Sequence, residues 1–217
     1  MIKFRSISKS KVLLFSLIIL SSIYVFVVNE YLYLKDNPES IVRYKSMLLL
    51  LIPHVIFGLT ALVIGPFQFS ETLRKNNLKL HRKLGKIYII AILLATPFAI
   101  LMNIYYPIDG IKATLAFQNI TQAIVWAFTA GMAWLAAVKQ QITIHKMWAA
   151  RSYGITLVFV FSRIYNPMPL FIENSEIDDF THFLWILVVL ALIIPDVLVF
   201  NKKLFSVKKK NSSYLHK

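Results

Sequence analysis

Four histidines stand in or beside the apolar stretches of this 217-residue sequence: His54, His81, His145 and His182. An imidazole can ligate a metal or haem iron, relay a proton, or hydrogen-bond a polar head group. Three of the four have a small residue one helical turn further on: Gly58 after His54, Gly85 after His81 and Ala149 after His145. Positions i and i+4 share a helix face, so a flat group would find room beside each ring. A b-type haem held between facing helices needs that room, and its propionates need cations such as Arg82, Arg151 and Arg163. His81 and His145 are therefore candidate haem ligands forming an inner pair. His54, Arg82 and Arg151 are candidate cofactor contacts, and His54 with His182 makes a weaker outer pair. A plainer reading stays open beside this one. Histidines at membrane interfaces also bond head groups or loop carbonyls, and small residues are common where membrane helices pack.

Arg163 is the most informative single residue. It falls inside an apolar run, about 20 Å along a helix from its basic end, where a charge is costly and normally faces a polar interior. Five helical turns separate it from His145, so His145, Ala149, Ser152, Thr156 and Arg163 share one face. Matching stripes run through His81, Gly85, Tyr88, Thr96 and Asn103, and through Gln118, Gln122 and Thr129. Arg163, Gln122 and Asn103 are candidate substrate contacts around an anion site. The alternative is a structural arginine bonded to carbonyls freed near Asn166-Pro167. Asp196 lies at the level of Arg151 and Arg82, where an ion pair is expected.

The elements that must position these residues follow from hydropathy. Hydrophobic residues make up 58% of the chain, mean hydropathy is +0.64 and only 16% of residues are charged. A soluble domain carries roughly 25% charged residues. The apolar residues form six blocks, at 12–34, 46–70, 84–106, 113–138, 149–170 and 180–201. About 20 helical residues cross the hydrocarbon core, and lipid admits helices but not open strands. The fold class expected is all-α, a polytopic bundle of six transmembrane helices. The first block is too long for a signal-peptide core and lacks a small-x-small cleavage site, so it reads as a retained anchor.

The net charge of +14 could suggest nucleic acid, but the placement of the charges argues against that partner. Lys and Arg gather in the N-terminal tail, at residues 74–86, at residues 139–151 and in the C-terminal tail. The alternate loops carry Asp36, Glu39, Asp109, Glu173, Glu176, Asp178 and Asp179. This positive-inside pattern expects both ends in the cytoplasm, with anionic lipid head groups as the partner of the basic face. It divides the chain into 1–45 (tail, anchor and outer loop), 46–201 (a five-helix bundle) and 202–217 (a basic tail). The location expected is a bacterial inner membrane, with an oligomer or partner subunit possible. A short similarity between His81-Arg82-Lys83-Leu84-Gly85 and His145-Lys146-Met147-Trp148-Ala149 suggests two parallel helix-pair repeats.

No cysteine is present, which excludes disulfides, iron–sulfur clusters and thiol catalysis. The sequence has no HExxH, no GxSxG and no phosphate-binding glycine loop, so soluble-style hydrolysis is not supported. No enzymatic activity is assigned.

The chain resembles the bacterial membrane-protein family known as domain of unknown function 2306. The residues carrying the resemblance are His54-x3-Gly58, Gly65-Pro66-Phe67-Gln68-Phe69, Leu73-Arg74 and His81-Arg82-x-Leu84-Gly85-x-x-Tyr88. They continue in His145-x-x-Trp148-x-x-Arg151-Ser152-Tyr153 and Arg163. The family implies a membrane bundle over residues 46–200, an acid in the last helix that Asp196 would supply, and no defined activity. A looser resemblance, to two-haem transmembrane b-type cytochromes, implies histidines near both membrane faces. Here His81 and His145 stand at helix ends instead. Two functions are expected from these residues: a b-haem or quinone redox role, or non-redox binding or transport of a small anion or lipid. A third is an accessory subunit of a membrane complex.

Overall fold

The computed structural model describes residues 38–105, 113–165 and 177–211, together with residues 20, 23 and 24. Among the described residues there are helices and no strands. They are α1 (Pro38–Gln68), α2 (Glu71–Asn76), α3 (Leu78–Tyr105), α4 (Ala113–Val138), α5 (Ile142–Tyr165) and α6 (Ile177–Asn211). Four contain stretches long and apolar enough to cross a membrane: Met47–Gln68, Leu78–Tyr105, Ala113–Val138 and Asp178–Val197. The fifth long helix, α5, is not among them, because Lys146, Arg151 and Arg163 interrupt its apolar run. The block at 12–34 lies outside the described residues.

Helix starts differ from the hydropathy blocks for a local reason. α3 begins at Leu78 rather than 84 because Asn77 caps it, its Oδ1 accepting from Leu80 N at 2.9 Å. α5 begins at Ile142 rather than 149, after a tight turn in which Gln141 N bonds Ala136 O at 2.9 Å and Gln140 N bonds Ala137 O at 3.1 Å. That is a Schellman closure, with Gln140 left-handed at φ 60°. Hydropathy ignores basic first turns, although Lys and Arg are good helix formers. Both His81 and His145 therefore lie in helices, near their first turns.

The long helices run alternately up and down. Contacts of His54 with Ala95 and of Gln68 with Gly85 make α1 and α3 antiparallel. Trp126 to Thr156 and Ala133 to His145 do the same for α4 and α5. α3 and α5 are parallel neighbours, joined by Tyr88 and Ser152. α5 packs on α1, α4 and α6, and α4 on α3, α5 and α6. α5 approaches α6 closely at Gly154, where a Cβ would lie 2.9 Å from Ala191 O. The core contains Ile92, Leu115, Ile155 and Val158, all at most 2% exposed. Leu49, Ile56, Val63, Ile90 and Phe117 point outward, as expected of helices whose solvent is lipid.

This arrangement gathers the C-terminal ends of α1, α4 and α6 and the N-terminal ends of α3 and α5 at one basic end. Asp178 and Asp179 open α6 at the other.

Candidate functional site

The interior stripes expected from the sequence do meet. In the middle of the bundle the Tyr88 hydroxyl contacts Ser152 Oγ at 3.0 Å and Thr156 Oγ1 at 3.3 Å. Trp126 Nε1 donates to Thr156 Oγ1 at 2.9 Å, and Thr156 donates to Ser152 O at 3.1 Å. The Thr156 proton is thus committed, so Tyr88 donates to Thr156 and Ser152 donates to Tyr88. Each polar atom of this layer has a partner, as burial in lipid demands. It ties α3, α4 and α5 together.

Seven residues nearer the basic end, on the same faces of α3 and α5, the bonding changes. His145 Nδ1 lies 2.9 Å from Ala133 O. A carbonyl only accepts, so Nδ1 carries the proton and Nε2 is left bare. His81 lies within electrostatic reach of His145, Arg74 and Arg82, yet its Nδ1 is buried with no hydrogen-bond partner among the described residues. One turn along α3, a Cβ at Gly85 would lie 3.1 Å from Gln68 Oε1, so the glycine leaves room for that carboxamide. Gln68 Nε2 is also buried without a partner. An unmet buried donor costs about 1–3 kcal/mol, so this end of the interface suits an incoming acceptor oxygen. The cations Arg74 and Arg82 and the N-terminal end of α3 add positive potential.

The remaining candidates are distributed elsewhere. Arg82 is exposed. Arg151 pairs with Asp196 through Nη2 and Oδ2 and stacks on Trp148, 4.5 Å from the ring centroid. The ion pair expected there is present, and it commits Arg151 to α6 rather than to the histidines. His54 Nδ1 donates to Ala95 O at 3.1 Å, while His182 is exposed on α6. Arg163 lies over Phe159, 5.1 Å from its centroid. Asn103 Oδ1 accepts from Asn119 Nδ2 at 3.0 Å, and Gln122 Oε1 accepts from Gln118 Nε2 at 3.0 Å. No group of three or more His, Asp or Glu that could hold a metal occurs among the described residues.

Residues 51–201 match the family of predicted membrane proteins DUF2306. The chain belongs to that family. No curated protein and no solved structure matches it. In this DUF2306 member the family stretch covers the described bundle from within α1 into α6, including both histidines of the basic end.

Reasoning from residue types missed Gln68 as a site residue, because a glutamine at the end of an apolar helix reads as a polar stop. Gly85 was the available signal. A glycine one turn from a histidine implies a close neighbour, and the neighbour is the Gln68 carboxamide rather than a flat ring.

Proposed function

We propose that this chain is a multi-pass membrane protein that binds the oxygen-rich head of an anionic lipid at its basic end. Six spans with both ends on the basic side are part of the proposal, supported by the charge asymmetry. On that rule the basic side is cytoplasmic, and the membrane is proposed to be the bacterial inner one. The observation carrying the reading is the pair of buried nitrogens, Gln68 Nε2 and His81 Nδ1, that have no hydrogen-bond partner among the described residues and lie beside Arg74 and Arg82. A phosphate oxygen would accept from Gln68 Nε2, and from His81 in the tautomer that carries its proton on Nδ1, while the arginines balance its charge. Acyl chains would lie along the apolar outer faces of α1 and α3.

Native mass spectrometry of detergent-purified protein tests this. With equal phosphatidylglycerol and phosphatidylcholine, the wild type should retain phosphatidylglycerol preferentially, and Gln68→Leu and His81→Phe should each lose the preference. Equal retention of the two lipids by the wild type would reject the reading.

A redox role, with b-type haem or a quinone between His81 and His145, is the second reading, favoured by the bare Nε2 of His145. An Nδ1–H anchored on a carbonyl is the usual support of a ligating histidine. Haem fits the rest of the layer less well. His81 lacks such an anchor, the space over Gly85 holds Gln68, and Tyr88 and Ser152 draw α3 and α5 together two turns deeper. A Soret band in the purified protein that His145→Ala removes would establish the haem reading in place of the lipid one.

A further inference from the structure

The polar residues at the end opposite the basic one are not used by the lipid site, and they carry a separate inference. Gln118 lies on α4 five residues in from Ala113, roughly 7.5 Å of helix, and is fully buried. Its Nε2 donates to Gln122 Oε1, but its own Oε1 is buried with no donor among the described residues. Trp126 faces Thr156 across the antiparallel α4–α5 interface. Seven residues further along each helix, on the same faces, Asn119 comes opposite Arg163. Gln118 and Gln122 flank that level. From α1, His54 lies within electrostatic reach of Arg163. Its Nδ1–H is held by Ala95 O, which leaves Nε2 as an acceptor.

We infer that Arg163, Gln118 and His54 frame a second ligand site, for a small carboxylate bearing a hydroxyl or amino group. A guanidinium offers five N–H donors in a planar fork that matches a carboxylate. Gln118 Oε1 and His54 Nε2 are acceptors, and Gln118 Oε1 is buried with no donor among the described residues, so a carboxylate alone would leave it unmet. A hydroxyl or ammonium group on the neighbouring carbon supplies the donor. The Gln118–Gln122 bond uses Gln118 Nε2 and so presents Gln118 Oε1, and Asn119 Nδ2 to Asn103 Oδ1 ties α4 to α3 at the same level. The inference does not depend on lipid binding at the other end.

Thermal unfolding of the full chain in detergent, with acetate, L-lactate or L-serine added, tests it. Lactate or serine at about a hundredfold excess over Kd should raise the melting temperature by about 5–10 °C, and acetate by less. Arg163→Gln should abolish the shift, and Arg163→Lys should reduce it because the fork geometry is lost. Gln118→Leu should melt no lower than wild type without ligand and should lose the preference for lactate or serine over acetate. The inference is overturned if none of the three compounds shifts the wild type. It is equally overturned if Arg163→Gln keeps the shift, or if Gln118→Leu lowers the melting temperature and leaves the preference intact.

Discussion

Two layers of the same α3–α5 interface, seven residues apart, solve the problem of buried polarity in opposite ways. Around Tyr88, Ser152, Thr156 and Trp126 each donor has an acceptor and each helix is tied to its neighbours. Around Gln68 and His81 two buried nitrogens have none among the described residues. Both layers are polar, and residue type alone does not separate them. Satisfaction does: a closed network is a structural staple, whereas unpartnered buried nitrogens beside arginines suit a ligand. The first layer should govern stability and the second should govern binding.

The largest expected effect is in the middle layer. Thr156→Val removes the acceptor of Trp126 Nε1–H and one contact of Tyr88, and should cost about 2–4 kcal/mol in reversible unfolding in detergent. A loss below roughly 0.5 kcal/mol would mean the network is not a staple. A glycine pair sharpens the contrast next. Gly154→Ala forces a Cβ onto the Ala191 backbone and should cost about 1–3 kcal/mol. Gly85→Ala meets only the movable end of Gln68, so stability should hardly change while retention of phosphatidylglycerol falls. Equal destabilisation by the two substitutions would erase the distinction between the layers.

Gln68→Leu should leave stability unchanged or raise it by up to about 1 kcal/mol, since a buried orphan donor is replaced by an apolar group. A clear loss of stability in the same unfolding assay would place Gln68 with the staples. The smallest effect concerns the turn that delivers His145 to Ala133. Gln140→Gly relieves a left-handed side chain and should gain about 1 kcal/mol, with lipid retention unchanged. A fall in retention would show that the turn, and not the helix face, positions the histidine.

Much of the bundle was legible in the sequence, because lipid imposes a strong hydropathy signal and α4 falls on its apolar block at both ends. The stripes through His81, Tyr88, Asn103 and through His145, Ser152, Thr156 were legible from helical periodicity. So was the ion pair between Arg151 and Asp196. The capped starts of α3 and α5 were not, since Asn77 and the Gln140 turn act through backbone geometry that hydropathy does not register. Gly85 was legible as a space, but not what fills it. That depends on where α1 ends, which places Gln68 over α3. The carbonyl that fixes the His145 tautomer belongs to an alanine, whose side chain says nothing of the role.

The central claim is that the Gln68–His81 layer receives an anionic head group, and cross-linking tests it most directly. A phosphatidylglycerol analogue with a photoreactive head group should label peptides within one turn of Gln68 and His81, and His81→Phe should remove that labelling. The phosphatidylcholine analogue should not label there. Equal labelling by both analogues, or labelling that His81→Phe leaves in place, would contradict the claim.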